Sequence, residues 1–312
     1  MSIFLKEMES DTKPPWVEHQ DKGQEFDDSS INRVNGYKRP KQRLDMQREA
    51  DLQDTLDSST ASFSKFNMDL ECLQNIGMVT PNLGNNQIIE EYRYIKRPIL
   101  AAALDTDEET ESAKNKNVVV VTSTLPGEGK TFTSLNLAIS VAMEKDRTVL
   151  LVDADLEQTG LTQLLDLPRR IGLSDYLTDN GLALSRLLLK TENVPKLTIL
   201  PSGASRRDAA EILASKKMQH LIQELSWRYS DRLIIVDAPP LLASSSASIL
   251  TQLAGQTIMV VASSQTSTEG LDEALGKLGS DQNVKLILNK AQYSWKRGHY
   301  AYGYYGYKKT DE

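Results

Sequence analysis

Two glycines, a lysine and a threonine stand together at Gly127, Gly129, Lys130 and Thr131, within the run TSTLPGEGKT. An apolar run, VVVVTS at 118–123, precedes them, and LNLAISVAM follows at helical pattern. Strand, glycine-rich loop and helix in that order make a phosphate-binding loop. Glycines let successive backbone N–H groups curl around phosphate oxygens, and the helix N-terminus adds partial positive charge. Lys130 would reach the outer phosphates of a nucleotide, and the Thr131 hydroxyl would hold Mg²⁺. Thr124, Leu125, Pro126, Glu128 and Phe132 complete the stretch expected to surround ATP. Thr124 stands where the motif G-x-x-x-x-G-K-[ST] has its first glycine.

Three carboxylates close apolar runs nearby. VLLVDAD ends in Asp153 and Asp155, and LIIVDAPP contains Asp237. Acids at strand ends beside a phosphate loop can hold Mg²⁺ or take the proton of an attacking hydroxyl. Asp153 and Asp237 are therefore expected at the metal with Thr131. Asp153 or Asp155 is expected to orient or deprotonate a nucleophile. Asn289, after the last apolar run, is expected either to touch adenine or to cap its strand.

The elements that must position these groups are legible as alternation. Short β-branched runs recur at 118–123, 148–154, 197–203, 232–238, 257–263 and 284–290, separated by segments of helical length. Continuous apolar strands with helical crossovers belong to a parallel sheet covered on both faces. The expected fold class is α/β: a doubly wound, mostly parallel sheet with helices on both faces, as in P-loop NTPases. Residues 116–290 form that domain.

The flanks differ in composition. Residues 1–60 are polar and without sustained apolar period, so a disordered or adaptable arm is expected. Residues 61–115 read as a helical extension: Phe66, Leu70 and Leu73 recur at helical spacing between Phe63 and Ile76. A second helix spans roughly 87–104, interrupted or kinked at Arg97-Pro98. Residues 291–312 carry Tyr300, Tyr302, Tyr304, Tyr305 and Tyr307 interleaved with glycines, and are expected to be a flexible tyrosine-rich tail.

Bulk properties narrow the class. The chain has 312 residues, 39% of them hydrophobic and 25% charged, enough to bury a core. A net charge of -7 disfavours a nucleic-acid partner, which needs a basic face. One cysteine, Cys72, excludes an internal disulfide framework. The charge-free stretch from Ala238 to Thr268 is broken by Ser244-Ser245-Ser246 and Gly255-Gln256, so it reads as a buried helix and strand rather than a membrane span. A cytoplasmic protein is expected.

The three phosphate-site segments resemble the Walker A, A′ and B motifs of the bacterial tyrosine autokinases, a branch of the P-loop ATPases that includes MinD and ParA. The partition ATPases of that group carry a signature lysine inside the loop, where this chain has Leu125. Upstream, GMVTP at 77–81 and IIEEYRYIKRPIL at 88–100 resemble stand-alone kinases of exopolysaccharide and exosortase loci, and the likeness covers roughly residues 65–310. Two departures stand out. Asp155 is followed by Leu156-Glu157-Gln158-Thr159, without the family's arginine and proline, and Ala238 replaces a hydroxyl residue.

The resemblance implies an ATP- and Mg²⁺-dependent tyrosine autokinase. Its acceptors would be Tyr300, Tyr302, Tyr304, Tyr305 and Tyr307 of a neighbouring subunit. It also implies a ring-shaped homo-oligomer held by an E-x-x-R-x-x-R helix, here Glu90, Arg93 and Arg97, with Lys96 and Arg97 bracketing the third position. From the residues alone, the same helix reads as a solvated face with internal Glu–Arg pairs. Further partners implied are a membrane-embedded polysaccharide co-polymerase that sets chain length and a protein-tyrosine phosphatase, with peripheral placement at the inner membrane. Two rival readings are a ParA- or MinD-like positioning ATPase and a non-catalytic, ATP-gated scaffold.

Overall fold

The computed structural model describes residues 5–7, 64–82, 86–104, 115–167 and 171–291. Its strands are β1 (Leu5–Glu7), β2 (Ser64–Phe66), β3 (Val118–Ser123), β4 (Thr148–Asp153), β5 (Leu189–Thr191), β6 (Leu197–Leu200), β7 (Arg232–Asp237), β8 (Gln256–Ala262) and β9 (Val284–Asn289). Among the described residues these form one sheet in the order β1-β9-β8-β3-β7-β4-β6-β5-β2. The central run from β9 to β6 is parallel throughout. Only the edges turn, where β5 lies antiparallel to β6 and β1 antiparallel to β9. The doubly wound α/β sheet expected from the sequence is present.

Period-two alternation divides the core. Val119, Val121, Val149, Leu151, Leu233 and Ile235 face one layer, while Val118, Val120, Leu150, Val152, Ile234 and Val236 face the other. Helices α1 (Leu70–Asn75), α2 (Gln87–Leu104) and α3 (Lys130–Ala142) contribute to the first layer. After α3 come α4 (Gly160–Leu164), α5 (Leu173–Thr178), α6 (Ala209–Leu213), α7 (Lys216–Arg228), α8 (Ser245–Leu253) and α9 (Thr268–Gly276). In α7, Met218, Leu221, Ile222 and Leu225 make the i, i+3, i+4, i+7 stripe that covers the second layer. Its Ser215 N-cap accepts the Met218 N–H.

The extension departs from its sequence reading in two places. Ser64–Phe66 is a strand parallel to β5, not the first turn of a helix, and the helix begins only at Leu70 behind its Asp69 cap. Helix α2 runs unbroken through Pro98. Proline removes one helix hydrogen bond, and burial of Tyr92, Ile95 and Ile99 against the core holds both halves in line. Residues 238–268 contain α8 and β8, as expected, and among the described residues no helix is long and apolar enough to cross a membrane. Within the stretch read as an arm, Leu5–Glu7 pairs with β9.

Candidate active site

The phosphate loop joins the carboxyl end of β3 to the first turn of α3. Gly127 has φ +83° and Gly129 φ +100°, backbone that L side chains rarely adopt. Thr124 is not among the positive-φ residues, so the motif's first glycine is not needed for backbone freedom here. The loop is braced from inside. Glu128 is buried; its Oε2 accepts the Leu125 N–H at 2.8 Å and its Oε1 accepts the Thr266 hydroxyl. Asn289 is also buried, and its Nδ2 donates to Glu128 O at 2.8 Å while its Oδ1 accepts the Lys290 N–H. The Lys290 ammonium donates to Gly127 O at 2.7 Å. Both polar ends of Asn289 are thus engaged within the protein, and its observed role is to support the loop.

Neighbouring strand ends bring the acids together. Asp153 and Asp237 are direct partners in the β4–β7 register, and Asp155 follows two residues past β4. Lys130 Nζ lies 2.7 Å from Asp155 Oδ2. Asp155 Oδ1 accepts the Gln158 N–H at 3.1 Å. Asp153 Oδ2 accepts both the N–H and the hydroxyl of Thr162, at 3.1 and 2.8 Å, and that hydroxyl also meets Ser202 Oγ at 3.0 Å. Asp237 Oδ1 accepts the Ser134 hydroxyl at 3.0 Å.

Burial governs the electrostatics. Loss of water, then the charge of Asp237, push Asp153 up to about 7, against the Thr162 hydrogen bonds. Burial also raises Asp237, opposed by Lys130 and the nearby Thr131 and Ser134 hydroxyls. For Lys130, burial disfavours the charged form, but Asp237, Asp155 and Asp153 outweigh it and the ammonium is held more firmly than usual.

Three acids against one lysine leave a deficit of positive charge. Asp153 Oδ1 and Asp237 Oδ2 are buried without a hydrogen-bond partner, an arrangement that native proteins avoid unless something else binds there. Gly160 closes the other side, where a Cβ would lie 3.2 Å from Thr131 Oγ1. Oxygen donors from Thr131, Asp153 and Asp237 suit Mg²⁺, which commonly takes one or two carboxylates plus substrate phosphates. Among the described residues no group of three or more His, Cys, Asp or Glu is placed to hold a metal ion by itself.

The residues bracing this site were not singled out from sequence. Ser202, Thr266 and Lys290 reach it from distant segments, while Ser134 and Thr162 stand four and nine residues beyond Lys130 and Asp153. Ala238 is buried and contributes its backbone, donating to Val121 O at 2.9 Å. On α2, Glu90 and Arg93 are ion-paired within the helix, and Arg97 stacks 6.0 Å from the Tyr94 ring centroid on the same exposed face. Lys96, the residue three after Arg93, points the other way. It is buried, 2.5 Å from Glu144 Oε1 and 2.7 Å from Ser140 O. The tyrosines from Tyr300 to Tyr307 lie outside the described residues.

A glycine loop between a parallel strand and its helix, with a lysine answering acids on the next strands, defines a P-loop nucleotide-binding protein. A family model described as the AAA domain matches residues 116–289. The tyrosine-protein kinase YwqD of Bacillus subtilis (strain 168) is 32% identical over 235 residues, covering 75% of this chain and 91% of YwqD. The chain belongs to the bacterial tyrosine-protein kinase family. Wzc, a tyrosine-protein kinase of Salmonella typhimurium, is 32% identical over 186 residues, but those make up only 25% of Wzc and 59% of this chain. Among solved structures, the kinase domain of VpsO is 31% identical with TM-score 0.51, covering 64% of this chain and all of that one. The kinase domain of Escherichia coli ETK shares the fold with TM-score 0.57 at 22% identity, over 78% of this chain and 97% of ETK's.

Proposed function

We propose that this protein is an ATP-dependent protein-tyrosine autokinase whose acceptors are Tyr300, Tyr302, Tyr304, Tyr305 and Tyr307 of a neighbouring copy. The observation that carries it is the meeting of Lys130 with Asp155, beside the two unpartnered oxygens of Asp153 and Asp237. The backbone of residues 124–132 cradles the phosphates, and Lys130 turns from Asp155 to the β- and γ-phosphate oxygens. Thr131, Asp153 and Asp237 would hold Mg²⁺, which supplies charge that neutralises the terminal phosphates.

A tyrosine hydroxyl is almost fully protonated at neutral pH, so a positioned acceptor is needed. Asp155, released by Lys130, takes that proton, while Asp153 orients the site around it. The tyrosine oxygen bonds to the γ-phosphorus, the bridging oxygen leaves with ADP, and the proton passes to the carboxylate. Glu90, Arg93 and Arg97 sit on an exposed helical face suited to an adjacent subunit of a ring. The names of the relatives support the kinase reading. By the sequence resemblance, the chemistry regulates export and chain length of an exopolysaccharide, through a membrane-embedded co-polymerase and a phosphatase that resets the tail. The test is intact mass after incubation with ATP and Mg²⁺. Successive additions of one phosphate mass are expected, and an unchanged mass would reject the kinase.

A further inference from the structure

We propose that Thr162 is a positioning residue for the divalent cation: it ties down one oxygen of Asp153, so that the other, Oδ1, faces the metal beside Asp237. The inference rests on the Mg-ATP reading above and deepens it with a residue that acts through a metal ligand rather than as one. Thr162 donates twice to Asp153 Oδ2, from its N–H at 3.1 Å and from its hydroxyl at 2.8 Å. Oδ1 of the same carboxylate is buried without a partner, as is Oδ2 of Asp237, its neighbour in the β4–β7 register.

The donors run one way. A threonine hydroxyl carries a single proton, and that of Thr162 is spent on Asp153. The 3.0 Å contact between the Thr162 and Ser202 hydroxyls is then a donation from Ser202, which is fully buried. The chain from Ser202 through Thr162 ends on Oδ2, where the Thr162 N–H is a second donor. Local backbone supplies that N–H. Thr162 is the third residue of α4, so its amide has no partner inside the helix. The N-cap, Thr159, makes no side-chain cap bond. Asp153 therefore accepts, from the end of β4, the bond that an N-cap side chain ordinarily takes. Gly160, which opens the same helix, lies against Thr131. One short helix thus meets two of the three groups assigned to the cation.

The aim of Asp153 matters because χ2 of an aspartate is soft, and a half-turn exchanges its two oxygens. Mg²⁺ demands near-ideal octahedral geometry, whereas the larger Ca²⁺ accepts a carboxylate through both oxygens at once. With Oδ2 held by two donors, Asp153 offers a single oxygen, which suits the smaller ion. Groups that orient a metal ligand matter nearly as much as the ligand, and their loss typically weakens a metal by about 10–100-fold. Thr162 therefore sets both the strength of the site and its preference for a small cation.

The experiment titrates the full chain with Mn²⁺, a stand-in for Mg²⁺ read by its paramagnetic resonance, in the presence of the non-hydrolysable β,γ-imido analogue of ATP. Ca²⁺ is measured by its displacement of Mn²⁺. Thr162→Val keeps the shape and the N–H but deletes the hydroxyl. It is expected to weaken Mn²⁺ by about tenfold, to leave Ca²⁺ within about twofold, and to bind the analogue in EDTA as the wild type does. Thr162→Ser should restore Mn²⁺ affinity. Ser202→Ala, which removes only the far donor, should weaken it by about threefold. Unchanged Mn²⁺ affinity in Thr162→Val, equal loss for both ions, a parallel loss of the metal-free analogue, or no rescue by serine would overturn the assignment. Should Thr162→Val not fold, Ser202→Ala decides, and wild-type Mn²⁺ affinity there rejects the chain of donors. A wild type that binds no Mn²⁺ with the analogue present would instead overturn the Mg-ATP reading itself.

Discussion

Lys130 and Asp155 form an ion pair beneath the phosphate loop, 2.7 Å between Nζ and Oδ2, with 11% and 1% of the two side chains exposed. The pair does two jobs with one contact. It neutralises an acid that burial would otherwise destabilise, and it holds the lysine where entering phosphates can claim it. Lys130→Met is therefore expected to abolish phosphate incorporation from labelled ATP. Removing one member of a buried pair strands the other, so the variant should also lose roughly 3 kcal/mol in urea unfolding. Retained phosphorylation in the folded variant would remove Lys130 from the mechanism.

Asp153 should behave oppositely, because its buried charge destabilises the fold when no cation offsets it. Its folded pKa, about 7, is raised above the ordinary carboxylate value by burial and by Asp237. The folded state therefore holds the proton more tightly than the unfolded chain. The stability linked to this group is fully present below the unfolded pKa and is lost as pH rises through about 7. In metal- and nucleotide-free buffer, Asp153→Asn should melt above the wild type by on the order of 5 °C at pH 8, with a smaller gap at pH 5. The variant should nevertheless be inactive. A melting difference that does not vary with pH would show that Asp153 is already neutral or well solvated.

Gly129 and Asn289 set a steric limit on the loop. A Cβ at Gly129 would lie 2.0 Å from Asn289 Nδ2, and the backbone there has φ +100°. Gly129→Ala must push Asn289 off Glu128 O or move the loop, at a cost of about 1–3 kcal/mol. Nucleotide affinity should fall at least tenfold. Adding Asn289→Gly should restore part of the stability by removing the clash, but not the affinity, since the loop loses its brace. Full recovery of both would mean that Asn289 only obstructs.

Fold and site were legible to different depths. β3, β4 and β6 to β9 announced themselves because strands buried on both faces must be apolar throughout. β2 and β5, only SKF and LKT, carry too little pattern in three residues, and their pairing at the sheet edge supplies what the sequence lacks. Gly127, Gly129, Lys130 and the three acids were readable because each sits at a strand end with local spacing. The bracing groups were not. Thr266 lies 138 residues from the Glu128 it supports, and no local pattern distinguishes it from other loop threonines. Asn289 stands out by its place at the end of an apolar run, but only the folded chain shows its amide turned to the loop.

Helix α2 separates a structural lysine from surface arginines, and the two should respond differently. Lys96 links α2 to the end of α3 through Glu144 and Ser140. Its hydrogen bond, foremost, holds the Glu144 carboxyl below its ordinary pKa. The link is therefore present above the ordinary carboxylate range and is lost as pH falls through that lowered value. Lys96→Ala should destabilise by roughly 1.5–3 kcal/mol at neutral pH. Arg93→Glu/Arg97→Glu should leave stability within about 0.5 kcal/mol while shifting the particle toward monomer by light scattering. Unaltered mass, with an oligomeric wild type, would return that face to solvent.

The last prediction concerns where phosphate goes and what it does. Described structure ends at Ala291, directly after Lys290, whose ammonium touches the phosphate loop through Gly127 O. The chain that continues to Tyr300–Tyr307 thus departs from beside the nucleotide site. Nine to sixteen residues reach at most about 30–55 Å, enough to enter an adjoining site when copies are held side by side. Tethering would raise the local tyrosine concentration to the order of millimolar, so a weak acceptor sequence suffices. Transfer between copies predicts a rate per chain that rises with protein concentration until the ring forms, and then levels. Each phosphotyrosine adds about -1.5 to -2 charges, in a chain already at -7 and facing a site of three acids. Repulsion is then expected to loosen the assembly once several tyrosines are modified. Peptide mapping by mass spectrometry after reaction should locate phosphate within 300–307, and light scattering should report a smaller particle. A rate independent of concentration would place the transfer within one chain, and a fully phosphorylated particle of unchanged mass would dissociate phosphorylation from assembly.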